Sequence, residues 1–113
     1  MEELLREAEE AYDHRLYASA VVMSHTAIRL RLAGRLRKDE GSLRDLAAEA
    51  YREGVDVDVK SLTKLGWMRN RIVHEGYLPK KDEARWAVKV ASASLKALKR
   101  RGLLRRMLGW LSG

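Results

Sequence analysis

Apolar residues recur every three to four positions along most of this chain, a spacing typical of amphipathic α-helices that pack against one another. Leu, Ala, Arg, Lys and Glu are abundant, and Pro79 is the only proline. Residues 55–58 alternate between apolar and acidic side chains as a strand would, but no second segment could pair with them. We therefore predict an all-α fold, an up-and-down bundle of four to five helices.

The boundaries of these helices can be predicted from capping residues and breaks in the pattern. The second helix has the broadest apolar surface, so it should be central in the bundle and antiparallel to the first. In chain order we predict a first helix over residues 4–12 and a second from about Tyr17 to Arg35. A cap at Ser42 begins the third helix and Gly54 ends it. The fourth helix is capped by Asp58 and ends at His74, and the fifth follows Pro79.

The last residues, 102–113, form a basic and amphipathic extension that we separate from the predicted bundle of residues 1–101. We favour a last helix that folds back on the bundle or packs on a second subunit. Attachment to a membrane surface is the alternative, because cationic side chains beside Trp and Leu can lie in a lipid interface. Binding to anionic vesicles would test it. No stretch reaches the ~18 apolar residues that a membrane span needs.

Composition narrows the range of functions. With 113 residues the chain is long enough for one domain, and without cysteine it has neither disulfides nor thiol catalysis. The acidic, amphipathic start predicts no signal peptide, so we expect a cytoplasmic protein. The 23 Lys and Arg exceed the 16 Asp and Glu, and the net charge of +7 favours a polyanionic partner such as RNA.

The segment with the most evident chemistry ends the predicted fourth helix. Asn70 and His74 are four residues apart and share a face of that helix, and the long side chain of Arg69 can bend back toward the imidazole. Gly76 then provides a left-handed stop. A histidine can transfer protons near neutral pH, and a guanidinium can hold two phosphate oxygens. These residue types suit RNA cleavage by the neighbouring 2′-hydroxyl.

The motif Arg-Asn-x-x-x-His in a small all-helical chain resembles that of the HEPN domain. The HEPN motif is an Arg and a His separated by four to six residues, very often with Asn after the Arg. Here four residues separate Arg69 and His74. The resemblance covers roughly residues 1–100 by helix layout, and the six-residue motif is its distinctive part. In one branch of the family a Tyr follows the His after one residue, whereas here it follows after two, as Tyr77.

The resemblance implies a ribonuclease homodimer in which the motifs of two chains face each other across a basic cleft. Arg69 and His74 would then be catalytic, with Asn70 in support. A second copy also answers a chemical need, because one histidine cannot conveniently act as acid and base on opposite sides of a phosphate. Many such family members are toxins neutralised by a small nucleotidyltransferase, and others are non-catalytic nucleotide-binding or accessory modules.

Four further residues are weaker candidates for substrate binding. Trp67 and Tyr77 flank the motif and could stack on an unpaired base, and Arg71 adds positive charge. His25 interrupts the apolar stripe of the second helix, where a histidine is more often a hydrogen-bonded core or interface residue than a catalyst. No compact set of metal ligands is present in the sequence, so we expect neither a metal nor another cofactor.

Three functions are therefore open. We favour a metal-independent endoribonuclease. The alternative is a non-catalytic module that binds a nucleotide or a nucleotidyltransferase partner through the same basic cleft. The third is a purely structural interaction module, in which the motif arginines are solvated charges and His74 only caps its helix.

Overall fold

The computed structural model describes the backbone of residues 2–112 and the side chains of residues 2–99. Within that range the chain forms five α-helices and no strand, which confirms the all-α prediction. The helices are α1 (Glu2–Asp13), α2 (Tyr17–Leu36), α3 (Leu43–Arg52), α4 (Val59–Glu75) and α5 (Lys81–Ser112).

Helix α2 is the centre of the bundle, as its broad apolar surface predicts. It packs against each of the other four helices. Its side chains Val21, Ile28 and Leu32 are completely buried, and removing such a side chain from water is worth roughly 1.5–3 kcal/mol. Helix α2 therefore positions the others, and any polar side chain that it carries inward becomes part of a rigid wall.

Side-chain caps fix the starts of α3 and α4 where the sequence predicts them. The Oγ of Ser42 accepts a hydrogen bond from the N–H of Asp45 at 3.1 Å. Asp58 accepts the N–H of Ser61 at 3.1 Å and the hydroxyl of Ser61 at 2.7 Å, and the N–H bond satisfies a donor that would otherwise lack a partner. Residues 55–58 are the connector between these helices rather than a strand.

Helix α4 ends as predicted at Gly76, whose φ of 69° lies in the left-handed region. The N–H of Gly76 donates to the carbonyl of Ile72, and the N–H of Tyr77 donates to that of Arg71, both at 3.2 Å. These two hydrogen bonds close the last turn of the helix. It also turns the chain sharply, so that Tyr77 folds back toward the helix that carries the motif.

The C-terminal extension differs from the expectation in its backbone. Helix α5 is continuous from Lys81 to Ser112, so residues 102–112 prolong it and do not form a separate helix that folds back. How the side chains of 102–113 pack, on the bundle, on a second subunit or on a lipid surface, lies outside the described residues. None of the helices in the described part of the chain is both long and apolar enough to cross a membrane.

Candidate functional site

Helices α2 and α4 and the first turn of α3 enclose an open cleft of about 520 Å³, which we call the α2–α4 cleft. Its lining includes Arg29 from α2, Arg44 from α3 and Arg69 from α4, and no carboxylate. Three guanidinium groups without a negative partner create a positive potential in a concave site, which favours an anionic ligand. The volume is that of a small-molecule site rather than of a single ion.

The motif residues Arg69 and Asn70 line this cleft together. The Nη1 of Arg69 donates to the Oδ1 of Asn70 at 3.1 Å, so the amide oxygen holds the guanidinium in place. Arg69 is partly buried and Asn70 is exposed. The amide NH₂ of Asn70 remains available as a donor, and the pair can therefore present two kinds of donor to one phosphate.

His74 does not line the α2–α4 cleft of its own chain and is exposed. Trp67, Asn70 and His74 follow one another at spacings of three and four residues, which places them along one face of α4. His74 therefore lies on the same face of α4 as Asn70, one turn beyond it, at the open end of the cleft wall. No described side chain donates to it or pairs with it, so its imidazole is free to meet a substrate or a second chain.

Arg71 and Tyr77 belong to a separate cluster at the end of α4. The guanidinium of Arg71 lies 4.2 Å from the ring centre of Tyr77 and 5.0 Å from that of Trp67, and its Nε is 3.6 Å from a carboxylate oxygen of Glu75. These contacts offset the charge of Arg71 within the chain. Glu75 therefore pairs with Arg71, and no described contact joins it to His74.

The hydroxyl of Tyr77 donates to Glu83 at 2.6 Å, and the same carboxylate oxygen accepts the N–H of Lys80 at 2.9 Å. The hydrogen bond to Glu83 raises the pKa of Tyr77, and the N–H of Lys80 followed by the Tyr77 hydroxyl lowers the pKa of Glu83. Tyr77 thus fastens the turn between α4 and α5. Arg71 lies over one face of both the Tyr77 and the Trp67 ring. Trp67 is the better stacking candidate because it is 57% exposed and lines the cleft, whereas Tyr77 is partly buried and its hydroxyl is bonded.

His25 lies in the wall of the α2–α4 cleft and is only 8% exposed. Burial, then the positive charges of Arg69 and Arg29, lower its pKa to about 4, so the imidazole is neutral near pH 7. No described residue hydrogen-bonds to it. The sequence analysis identified His25 as a histidine that interrupts the apolar stripe of α2, but it could not predict that His25 lies opposite the motif.

Two charged residues of the cleft, Arg29 and Arg44, were not predicted from the sequence. The Nε and Nη2 of Arg29 donate to the carbonyls of Gly41 and Asp39 at 3.1 and 3.3 Å, so Arg29 holds the loop that leads into α3. Arg44 lies in the first turn of α3, where a cation opposes the helix dipole. That unfavourable placement is the one signal in the sequence that could have indicated Arg44.

Within residues 2–99 no three His, Asp or Glu side chains come close enough together to hold a metal ion. Comparison of the chain with models of protein families, with curated proteins and with solved structures found no match. We therefore infer function from the geometry of the cleft and of the motif beside it.

Proposed function

We propose that this protein is a metal-independent endoribonuclease of the HEPN type, acting as a homodimer with Arg69, Asn70 and His74 as its catalytic residues. The observation that supports this most is the placement of the bonded Arg69 and Asn70 pair in a cleft with three guanidinium groups and no carboxylate. His74 extends the same face of α4 by one turn and is exposed.

The proposed reaction needs two copies of the chain and the RNA substrate, and no further group. The 2′-oxygen bonds to phosphorus and gives its proton to the His74 of one chain. The bond from phosphorus to the 5′-oxygen breaks, and that oxygen takes a proton from the His74 of the other chain. The products are a 2′,3′-cyclic phosphate and a 5′-hydroxyl end. His74 is suited to one of the two proton transfers, and Arg69 is suited to stabilise the charge on the phosphate oxygens.

The exposure of His74 supports the dimer. On the same face of α4 Trp67 is 57% exposed, and the neighbouring Val73 is 49% exposed, so apolar surface borders both Asn70 and His74. A two-fold pairing of these faces would bring the His74 of each chain toward the cleft of the other. Each phosphate would then meet an arginine and histidines from two chains, which supplies the acid and the base.

The test is cleavage of single-stranded RNA in EDTA by the full chain. His74→Ala should reduce cleavage by about 10²–10⁴-fold, the usual contribution of a general acid or base, without changing helicity or dimer mass. His14→Ala is the matched control, because His14 is exposed in the turn after α1 and bonds only to the carbonyl of Glu10 at 2.8 Å. Equal cleavage by wild type and His74→Ala would exclude the mechanism.

One observation favours a second function. The cleft of a single chain already contains arginines, a buried histidine and an exposed tryptophan without His74. This arrangement could hold a nucleotide without cutting it, as a non-catalytic or accessory module beside a small nucleotidyltransferase would. Saturable nucleotide binding by calorimetry, combined with no RNA cleavage, would support this alternative.

If RNA is cleaved, a toxin role becomes testable in the same assay. A small nucleotidyltransferase encoded beside this protein should then act as its antitoxin, forming a complex and suppressing cleavage. Cleavage that continues in such a complex would separate the ribonuclease from the toxin-antitoxin proposal. If the protein neither binds a nucleotide nor cleaves RNA, the structural interaction module is the function that remains.

A further inference from the structure

His25 combines properties that a purely structural histidine lacks. Buried polar side chains in proteins are nearly always hydrogen-bonded, yet His25 is only 8% exposed and has no hydrogen-bond partner among the described residues. It borders the α2–α4 cleft rather than a closed core. Its ring nitrogens are not fully buried, so they open to the cleft and can bond a molecule that enters it.

The other polar groups of the cleft define what that molecule is. The charged side chains in the lining are Arg29 from α2, Arg44 from α3 and Arg69 from α4, and all three are cationic. Arg29 is engaged with the loop carbonyls of Gly41 and Asp39, so it fixes the wall. Arg69, Arg44 and His25 are left to contact a ligand directly, and together they suit the oxygens of a phosphodiester.

We propose that His25 hydrogen-bonds a phosphodiester group of the nucleic acid held in the α2–α4 cleft and takes up a proton as that group binds. His25 is then a substrate-contacting residue on the same chain as Arg69. The inference deepens the proposed function and rests on it in one respect only, that the cleft holds RNA.

The proton uptake follows from the electrostatics of the cleft. In the empty cleft, burial and the two neighbouring guanidinium groups keep the pKa of His25 at about 4. A phosphodiester adds a negative charge beside the imidazole and offsets the guanidinium groups, so it favours the protonated ring. The pKa of the bound state is therefore higher than that of the free state, and affinity rises as the pH falls between these two values.

This arrangement would separate two tasks between two histidines. His25 would hold the phosphate inside the cleft of its own chain, and His74, exposed at the end of the wall, would serve proton transfer. The cleft of each chain would then bind nucleic acid whether or not the chain can cleave it.

The test uses an uncleavable probe whose charge does not change with pH. Tetrathymidylate, (dT)₄, without a terminal phosphate lacks the 2′-hydroxyl, and its diesters stay singly ionised from pH 5 to 8. Binding to the full chain is measured by calorimetry at several pH values for wild type, His25→Asn, His74→Ala and the double variant. The His74→Ala background removes the contribution of the other histidine near the cleft.

We expect the bound phosphodiester to return the pKa of His25 from about 4 to its ordinary value of 6.5. The affinity of wild type and of His74→Ala for (dT)₄ should then rise about tenfold from pH 7.5 to pH 5.5, because the bound state takes up a proton that the free state does not. His25→Asn and the double variant should bind more weakly at pH 5.5 and show a flat pH dependence. NMR titration of wild type should show the pKa of His25 rising from about 4 toward 6.5 at saturation.

The proposal is overturned if (dT)₄ does not bind, if His25→Asn keeps the wild-type pH slope, or if the His25 imidazole does not respond at saturation. The NMR titration decides the matter if His25→Asn fails to fold. The proposed ribonuclease activity can fail independently of this inference. If (dT)₄ binding depends on His25 but RNA is not cleaved, only the ribonuclease proposal is refuted. If cleavage depends on His74 but binding shows no pH dependence from His25, only the role of His25 is refuted.

Discussion

The α2–α4 cleft and the exposed end of α4 each contribute a histidine close to the motif, but in opposite surroundings. His25 is 8% exposed between guanidinium groups, whereas His74 is exposed and has no described partner. The same side chain is therefore held neutral in one region and left free in the other. The comparison shows that residue type and motif spacing do not define a site until the surroundings of each histidine are known.

The two regions also differ in how their arginines are used. In the cleft, Arg69 bonds only to the neutral amide of Asn70, so its charge remains available to a ligand. At the end of α4, Arg71 is shared between two aromatic rings and Glu75. We therefore expect the cleft to bind nucleic acid and the cluster around Arg71 to stabilise the turn before α5.

Within the α2–α4 cleft, the largest effect should come from changing the geometry of the Arg69 guanidinium while keeping its charge. Arg69→Lys should reduce RNA cleavage by about 10²–10³-fold, because a lysine cannot hold two phosphate oxygens of the transition state at once. Steady-state cleavage rates in EDTA measure this. Arg52→Lys, at the far end of α3, is the control and should cleave as wild type does. Equal losses in both variants would mean that the cleft has no special role.

The burial of His25 predicts an acid-sensitive fold. Its pKa is about 4 in the folded chain and has its ordinary value of 6.5 in the unfolded chain. As the pH falls from 6.5 to 4, the unfolded chain binds a proton that the folded chain does not, so the free energy of unfolding decreases. The loss is at most about 3 kcal/mol, at 1.36 kcal/mol per pKa unit. Urea unfolding at pH 7, 5.5 and 4.5 should show a smaller loss for His25→Leu than for wild type. His14→Gln should retain the wild-type loss.

Two exposed aromatic residues test whether bases stack in the cleft. Trp67→Ala should weaken binding of single-stranded oligonucleotides by roughly 1–3 kcal/mol, the value of one base stacked on an aromatic ring. Tyr51, 61% exposed on α3 and outside the cleft, provides the control, and Tyr51→Ala should bind as wild type does. Fluorescence anisotropy with a labelled oligonucleotide distinguishes the variants. Unchanged affinity of Trp67→Ala would place the bases elsewhere.

The smallest effect concerns the helix that carries the motif. Asp58→Ala should lower the free energy of unfolding by about 1 kcal/mol, because the cap of α4 is lost. Asp56→Ala removes a neighbouring exposed carboxylate that makes no described hydrogen bond, so its effect should be close to zero. Thermal unfolding compares the two. Similar losses in both variants would show that general charge, and not the cap, stabilises α4.

Much of the fold could be predicted from short-range patterns. The caps at Ser42 and Asp58, the stop at Gly76 and the central position of α2 are all confirmed. Each depends on residues within a few positions of one another, or on one face of one helix. The exception is the C-terminal extension, where Gly102 after a run of basic residues is a usual signal for a helix end, yet α5 continues to Ser112.

The candidate site was only partly predictable. The sequence determined that Arg69, Asn70 and His74 follow one another on α4, because helical spacing fixes that relation. It could not show that α4 packs beside His25 and Arg29 or that Arg44 faces them. The HEPN resemblance and the catalytic roles stay proposals to be tested by the variants above.

The sequence by itself thus determined the helices, their caps and the order of the motif, since these depend on backbone hydrogen bonds and local periodicity. Only the tertiary structure decided which side chains share a cleft and which histidine is buried. The physical reason is that charge and hydration depend on distances between helices that are remote in sequence. Packing against α2 sets those distances, and with them the chemistry open to each imidazole.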